Sequence, residues 1–449
     1  MRTNIAIAKP PIFTHEGAKA DRIDAYHQLR RTVMACMLFE DTFYEDGISV
    51  ADRMMHEVAE LLKRKDGEKI VADLATEARF TMKLRHAPLW LLATLARANT
   101  KETRAVLSDA IYRTIGRPDE LGELISLFWV GGKKMLPNQM KKGLARAFGK
   151  FDEFSLAKYD RQGDAIKLRD VLFLIHAKPE GDEQDALWKR LIDGKLTTPD
   201  TWEVQLSGGA DKKGTFERLL AEKKLGALAL LRNLRNMTEA GVPMEAIRDG
   251  LKTMNTERVL PFRFITAARY APKLEPELEA AMFSCLQGHP KLPGKTVLCV
   301  DNSGSMYSPV SMKSELQRVD AAVGLALLLR EICEEVQLVV FGSTAGLIRP
   351  RRGFALADAI KNSGHRGGTN TDRAVAIAKT EGFDRLIIIT DEQSHTAVPA
   401  PGKGKKGYVI NVASYQNGIN YRDYVHIDGW SEAVVDYITT YEHAFGELA

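Results

Sequence analysis

Three oxygen-bearing side chains stand two residues apart at Asp301, Ser303 and Ser305, directly after the apolar run Val297–Val300. Short runs rich in Val and Leu read as buried strands. Open α/β sheets place their ligand sites beyond the carboxyl ends of such strands. Alternate residues of an extended chain share a side, so the carboxylate and both hydroxyls of Asp-x-Ser-x-Ser can converge. Hard oxygens in a small cluster suit Mg²⁺ or Mn²⁺; the simpler alternative is that they cap the following turn. Two later groups bear on that choice. Gly367-Gly368-Thr369-Asn370-Thr371 precedes a helical pattern and can bring the Thr369 hydroxyl toward the first loop, and Asp391 ends a second strand, RLIIIT. Beside them, Asp372 reads as helix capping and Glu392 as surface charge. Metal-assisted hydrolysis needs a positioned base or a second metal, and the pattern supplies neither.

A second cluster is cationic. Residues 133–150, KKMLPNQMKKGLARAFGK, hold six basic residues (Lys133, Lys134, Lys141, Lys142, Arg146, Lys150) and no acid. Lys142, Arg146 and Lys150 lie four apart, on one stripe of a helix that begins after Pro137. Lys158, Arg161, Lys167, Arg169, His176 and Lys178 follow. Most charge runs are solvated faces. Solvated helices usually mix signs for i,i+4 pairing, however, and a long stretch without a carboxylate favours phosphate as the counter-charge. His176, beside the apolar run 171–175, reads as a helix-end residue rather than a catalyst.

The elements that must position these clusters differ along the chain. From Asp21 to about Gln287 the apolar period is helical, with segments such as 52–64, 67–83, 88–98 and 101–115 closed by Gly, Pro or short polar turns. Thr100, Asp119 and Thr215 stand where N-caps are expected. Short antiparallel helix pairs over this length favour a stacked helical array over a simple bundle. QGHPKLPGK (287–295) reads as the junction. Beyond it, apolar runs at 297–300, 336–341, 385–390 and 408–412 alternate with helical patterns at 317–335, 356–363, 371–379 and 431–445, which implies a parallel sheet covered on both faces.

The chain has 449 residues, 45% apolar and 27% charged, which fits a soluble protein of two or three domains. No apolar run approaches the roughly 18 residues of a membrane span, and the N-terminus lacks a secretory h-region. Cys36, Cys285, Cys299 and Cys333 have no zinc spacing and read as buried thiols of a reducing cytoplasm. Net charge is +4. From Gly294 onward, 16 Lys and Arg stand against 18 Asp and Glu, a balance of −2, which leaves +6 in the first 293 residues.

Residues 167–179 (KLRDVLFLIHAKP), 228–237 (LALLRNLRNM) and 260–264 (LPFRF) resemble the signature stretches of the TROVE domain. Leu29-Arg30-Arg31 with residues 39–47 is similar to that family's opening segment. The TROVE domain is the RNA-binding module of the Ro autoantigen and its bacterial relatives. The resemblance spans the chain, because Ro proteins join this module to a von Willebrand factor A-like domain. Asp-x-Ser-x-Ser, Gly-Gly-Thr and the strand-terminal Asp in turn resemble a metal-ion-dependent adhesion site.

The resemblance implies a ring of HEAT-like helical repeats over 1–287, a junction at 288–294 and a von Willebrand A domain over 295–449. It implies a non-catalytic protein that binds Y-type non-coding RNA on a basic outer surface and single-stranded 3′ ends of misfolded RNA in a central hole. An exoribonuclease partner and a monomeric ring are further implications. Lys158, Arg161 and His176 match the family's RNA-contacting stretch, with Lys141, Lys142 and Arg146 in the neighbouring helix. Asp301, Ser303 and Ser305 would bind Mg²⁺ or Mn²⁺ directly, and Thr369 and Asp391 directly or through water. A partner's acidic residue would complete the shell. The alternative reading is a metal-dependent protein-interaction adaptor without direct RNA binding.

Overall fold

The computed structural model describes residues 12–13, 19–20, 24–34, 41–42, 45–82, 84–160, 163, 165–256, 259, 261–285, 291–310, 316–349, 351–413, 419, 423–429, 434, 438–439 and 442. Two short hairpins flank the first helix, in the order β1 (Ile12–Phe13), β2 (Lys19–Ala20), α1 (Ala25–Met34), β3 (Asp41–Thr42) and β4 (Glu45–Ser49). Nine helices follow: α2 (Val50–Leu62), α3 (Gly67–Phe80), α4 (His86–Ala98), α5 (Lys101–Thr114), α6 (Asp119–Phe128), α7 (Asn138–Phe148), α8 (Glu153–Tyr159), α9 (Leu168–Ile175) and α10 (Asp182–Ile192). Six more complete the helical region: α11 (Trp202–Ser207), α12 (Lys212–Ala221), α13 (Ala227–Glu239), α14 (Met244–Thr253), α15 (Pro261–Tyr270) and α16 (Glu275–Ser284).

Consecutive helices pack on each other, as α3 on α4 and α4 on α5, and alternate helices stack as well. α3 lies on α5, α5 on α7 and α7 on α9, while α2 lies on α4 and α4 on α6. The pattern resumes in α12, α14 and α16, with α13 on α15. Two layers of alternate helices are what stacked helix pairs produce, because each pair buries its apolar face only against its neighbours. α4 (HAPLWLLATLARA) is apolar almost all round, and it is buried from Ala87 to Ala96. Thr100 caps α5 as its spacing predicts, with its hydroxyl accepting the Thr103 N–H at 3.2 Å. Asp119 instead occupies the first turn of α6. Thr215 lies inside α12, whose cap is Asp211, accepting from the Gly214 N–H at 2.6 Å.

The last third alternates strand and helix: β5 (Leu292–Asp301), α17 (Arg318–Ile332), β6 (Cys333–Phe341), β7 (Ala345–Ile348), α18 (Gly353–Lys361), α19 (Thr371–Glu381), β8 (Arg385–Thr390), β9 (Lys406–Asn411) and β10 (Val425–Asp428). The sheet order is β10-β9-β8-β5-β6-β7, parallel throughout except for the antiparallel edge strand β7. β5 is central, and Val297–Val300 are fully buried. α17 covers one face and α19 the other. The expected closing helix at 431–445 falls largely outside the described residues. β5 already begins at Leu292, inside the expected junction.

Two cores divide the helices. One joins residues of α1 through α10. The other runs from Phe216 in α12 through α16 and on into the α17 face of the sheet. The second half of the helical region therefore shares its hydrophobic interior with the sheet domain.

The chain also closes on itself. At one joint α15 packs on α17 and α16 on α18, with Arg269 ion-paired to Asp320. At the other, α1 packs against β10, and the Arg31 guanidinium meets the Glu392 carboxylate at 2.7 Å, with both side chains buried. Helix α1 begins the array and also touches the last strand, so the elements form a closed circuit.

Candidate metal centre and cationic surface

Asp301 ends β5 and Asp391 follows β8, its neighbour in the sheet, so the two carboxylates lie at adjacent strand ends. Both are fully buried. The Ser303 N–H donates to Asp301 Oδ1 at 2.8 Å, and the Thr390 hydroxyl donates to Oδ2 at 2.6 Å. The Ser303 and Ser305 hydroxyls stand 3.3 Å apart. Burial, and then the charge of Asp391, hold the Asp301 carboxyl well above the usual carboxylate range. Arg318 Nη1, at the start of α17, lies 3.5 Å from Asp391 Oδ2.

The Gly-Gly-Thr loop is tied directly to this site. The Gly304 N–H donates to the Gly367 carbonyl at 2.8 Å. Gly367 has φ of +93°, and a Cβ there would fall 2.5 Å from Ser343 Oγ, so a side chain is excluded twice over. Thr369 is almost fully buried. Its N–H donates to His395 Nδ1 at 3.0 Å, and its carbonyl accepts the His395 N–H at 2.9 Å. The Thr371 hydroxyl is buried and has no protein partner. Two buried carboxylates and two converging serine hydroxyls form a donor set that fits a small hard divalent cation. Arg318 supplies part of the counter-charge that the two acids require.

Glu392 corrects an expectation. It is not a surface charge but a fully buried carboxylate between Arg31 and His426, whose Nδ1 lies 2.8 Å away. Burial opposes its ionisation, yet the Arg31 and His426 partners outweigh that and hold it below the usual range. Asp372 accepts the Thr396 hydroxyl at 2.6 Å. It thereby fastens the loop after Asp391 to α19.

The cationic residues are spread over α6–α10. Lys133 and Lys134 are exposed in the loop before α7, with their ammonium groups 5.3 Å from the Trp129 ring and 6.0 Å from the Phe128 ring respectively. Lys142 is exposed on α7, and Lys141 is half-buried. The expected stripe splits beyond that point. The Arg146 guanidinium stacks 4.4 Å from the Tyr112 ring and lies 3.6 Å from Asp109. The Lys150 ammonium donates to the Tyr112 carbonyl at 2.5 Å and the Ile115 carbonyl at 2.6 Å. Those are terminal carbonyls of α5, so Lys150 is a helix cap rather than a phosphate ligand. Burial lowers its pKa. Lys158 on α8 is half-buried, 5.7 Å from the Tyr159 ring. His176 is the exposed C-cap of α9 at φ +53°, and Lys178 is exposed two residues on. Arg161 lies outside the described residues.

Residues 185–318 match the TROVE domain and residues 296–393 the von Willebrand factor type A domain. The chain joins a TROVE domain to a von Willebrand factor type A domain. A segment of 92 residues is 36% identical to telomerase protein component 1 of Mus musculus and 34% identical to its Rattus norvegicus counterpart. That segment is 19% of this chain and 4% of each of those proteins. The crystal structure of the Deinococcus radiodurans Ro (RSR) protein superposes with a TM-score of 0.64 at 18% identity, covering 93% of this chain and 99% of that one. The fold is thus shared along nearly the whole length.

The TROVE match ends at Arg318 and so overlaps the first strand of the von Willebrand A domain. That overlap accords with the hydrophobic core that crosses the junction. Sequence reasoning missed Thr390, Arg318, His395 and the Arg31–Glu392–His426 cluster. Alternation along RLIIIT could have singled out Thr390 as a polar strand end. Arg31 enters the sequence reading only within the opening segment, and nothing local points to its partner, 361 positions away.

Proposed function

We propose that this TROVE–von Willebrand A protein binds RNA and does not catalyse its cleavage. The observation that carries the reading is the surface from Lys133 to Lys142, where Lys133, Lys134 and Lys142 are exposed and the sequence from 133 to 150 offers no carboxylate. Such a surface pairs with phosphate and releases counterions. Lys158, His176 and Lys178 would extend it across α8 and α9, whereas Lys150 is committed to α5. In the finer reading, this face takes Y-type non-coding RNA, single-stranded 3′ ends of misfolded RNA engage the ring, and an exoribonuclease acts on what the protein presents. The protein would then be an adaptor in cytoplasmic RNA quality control.

The von Willebrand A domain would hold Mg²⁺ or Mn²⁺ through Asp301, Ser303 and Ser305, with Thr369 and Asp391 direct or through water. The ion would supply an open coordination position for a partner's carboxylate, a binding role rather than a hydrolytic one. That chemistry favours a second reading, a metal-dependent adaptor that recognises protein alone.

Salt-dependent RNA titration separates the two. Under the RNA reading log K falls linearly with log salt, and Lys142→Glu combined with Lys158→Glu lowers both affinity and slope, by about 0.7 in slope per lost phosphate contact on single strands. A flat salt response, or unchanged affinity in the charge-reversed protein, sinks the RNA reading.

A further inference from the structure

Two exposed phenylalanines stand beside the cationic surface. Phe173 on α9 is 59% exposed and Phe154 on α8 is 54% exposed. Single apolar side chains scatter over most protein surfaces, so exposure alone carries little. Their neighbours carry more. α9 buries Leu168, Val171, Leu172 and Ile175. Its other face presents Arg169, Phe173 and His176, spaced four and three residues apart and all exposed. On α8, Lys158 lies one turn beyond Phe154, and both helices pack on α10.

Each ring therefore has a cation one helical turn away. Asp170, the carboxylate beside Arg169, accepts the Lys167 N–H at 3.1 Å and stands 3.9 Å from Arg169, which stays half exposed. A base-paired duplex offers this face phosphates but hides its base faces. A single strand offers both at once, because unstacked bases lie on aromatic rings while phosphates meet cations.

We propose that Phe173 and Phe154 are stacking platforms for unpaired bases of single-stranded RNA, with Arg169, His176 and Lys158 on the adjoining phosphates. This rests on the RNA reading above and adds to it the groups that hold bases. Stacking is tolerant of sequence, so this face discriminates strandedness rather than base identity.

The test uses the full chain and a short oligouridine carrying one 2-aminopurine. Binding changes the 2-aminopurine fluorescence, and Phe173→Ala and Phe154→Ala each weaken affinity about tenfold with the salt slope unchanged. Phe173→Trp restores binding, whereas Arg169→Ala lowers the slope by about 0.7. Because both rings are exposed, the variants keep the parent's thermal midpoint. Full affinity in the Phe154→Ala/Phe173→Ala double variant overturns the stacking proposal and leaves RNA binding standing, as does full affinity in Phe173→Leu. Equal competition by duplex RNA of the same length also overturns it. A wild-type chain that ignores the oligonucleotide at low salt overturns the RNA reading itself. Binding indifferent to every one of these substitutions, Arg169→Ala included, removes RNA from this face and overturns the proposal.

Discussion

Asp301 and Glu392 sit at the ends of the same sheet, yet their surroundings push their protonation in opposite directions. Burial and Asp391 raise Asp301, so the folded state retains a proton that the unfolded chain has already lost above the ordinary carboxylate range. Without metal, stability therefore falls as pH rises from that ordinary value through the raised one. A divalent cation bound there would displace the proton, so the gain in thermal midpoint on adding Mg²⁺ should be larger at pH 8 than at pH 6, and Asp301→Ala should abolish it. Differential scanning calorimetry at the two pH values measures this, and an equal gain in the alanine variant disproves the site. For Glu392 the sign reverses. Its pKa is depressed, so its stabilisation is complete above the usual carboxylate range and is lost as pH falls through the folded value. Arg31→Met strips the nearest guanidinium from a fully buried carboxylate and should cost about 3–5 kcal/mol in urea denaturation. Glu392→Gln on that background should recover part of the loss, in a double-mutant cycle that reads the coupling directly.

At the scale of elements, basic residues of one four-residue spacing need not share a fate, because α7 ends at Phe148 and Lys150 lies just beyond it. Lys142 faces solvent, while Lys150 reaches across to the end of α5, where its ammonium satisfies two carbonyls. Lys150→Met should lower stability by about 1 kcal/mol and leave RNA affinity within error, whereas Lys142→Glu should do the reverse. Parallel denaturation and RNA titration of the two variants checks this. The contrast marks what was legible in the sequence. Periodicity located α5, α7, α17, β8 and the strand ends that hold Asp301 and Asp391, because an amphipathic or buried element repeats its pattern locally. It did not reveal β7 or β10, four-residue strands at the sheet edges that carry too few alternations to stand out. The sequence told Glu392 apart from Asp391 but gave it the wrong place, on the surface rather than buried. Their opposite roles depend on α1 and β10, which reach the same place from distant parts of the chain.

At the scale of the molecule, the helical region and the von Willebrand A domain meet at two joints of different kinds. The joint through α15 and α16 is an uninterrupted hydrophobic core that also follows the chain, so it separates only if the core is lost. Among the described residues, the joint at α1 is made by the Arg31–Glu392–His426 cluster and the packing of one helix on an edge strand. Its two sides belong to one polypeptide, so they meet at an effective concentration fixed by tethering, of order millimolar for flexible connections and higher where the intervening elements are stiff. An intrinsic affinity that would never hold two separate proteins together is then enough to keep the seam mostly shut.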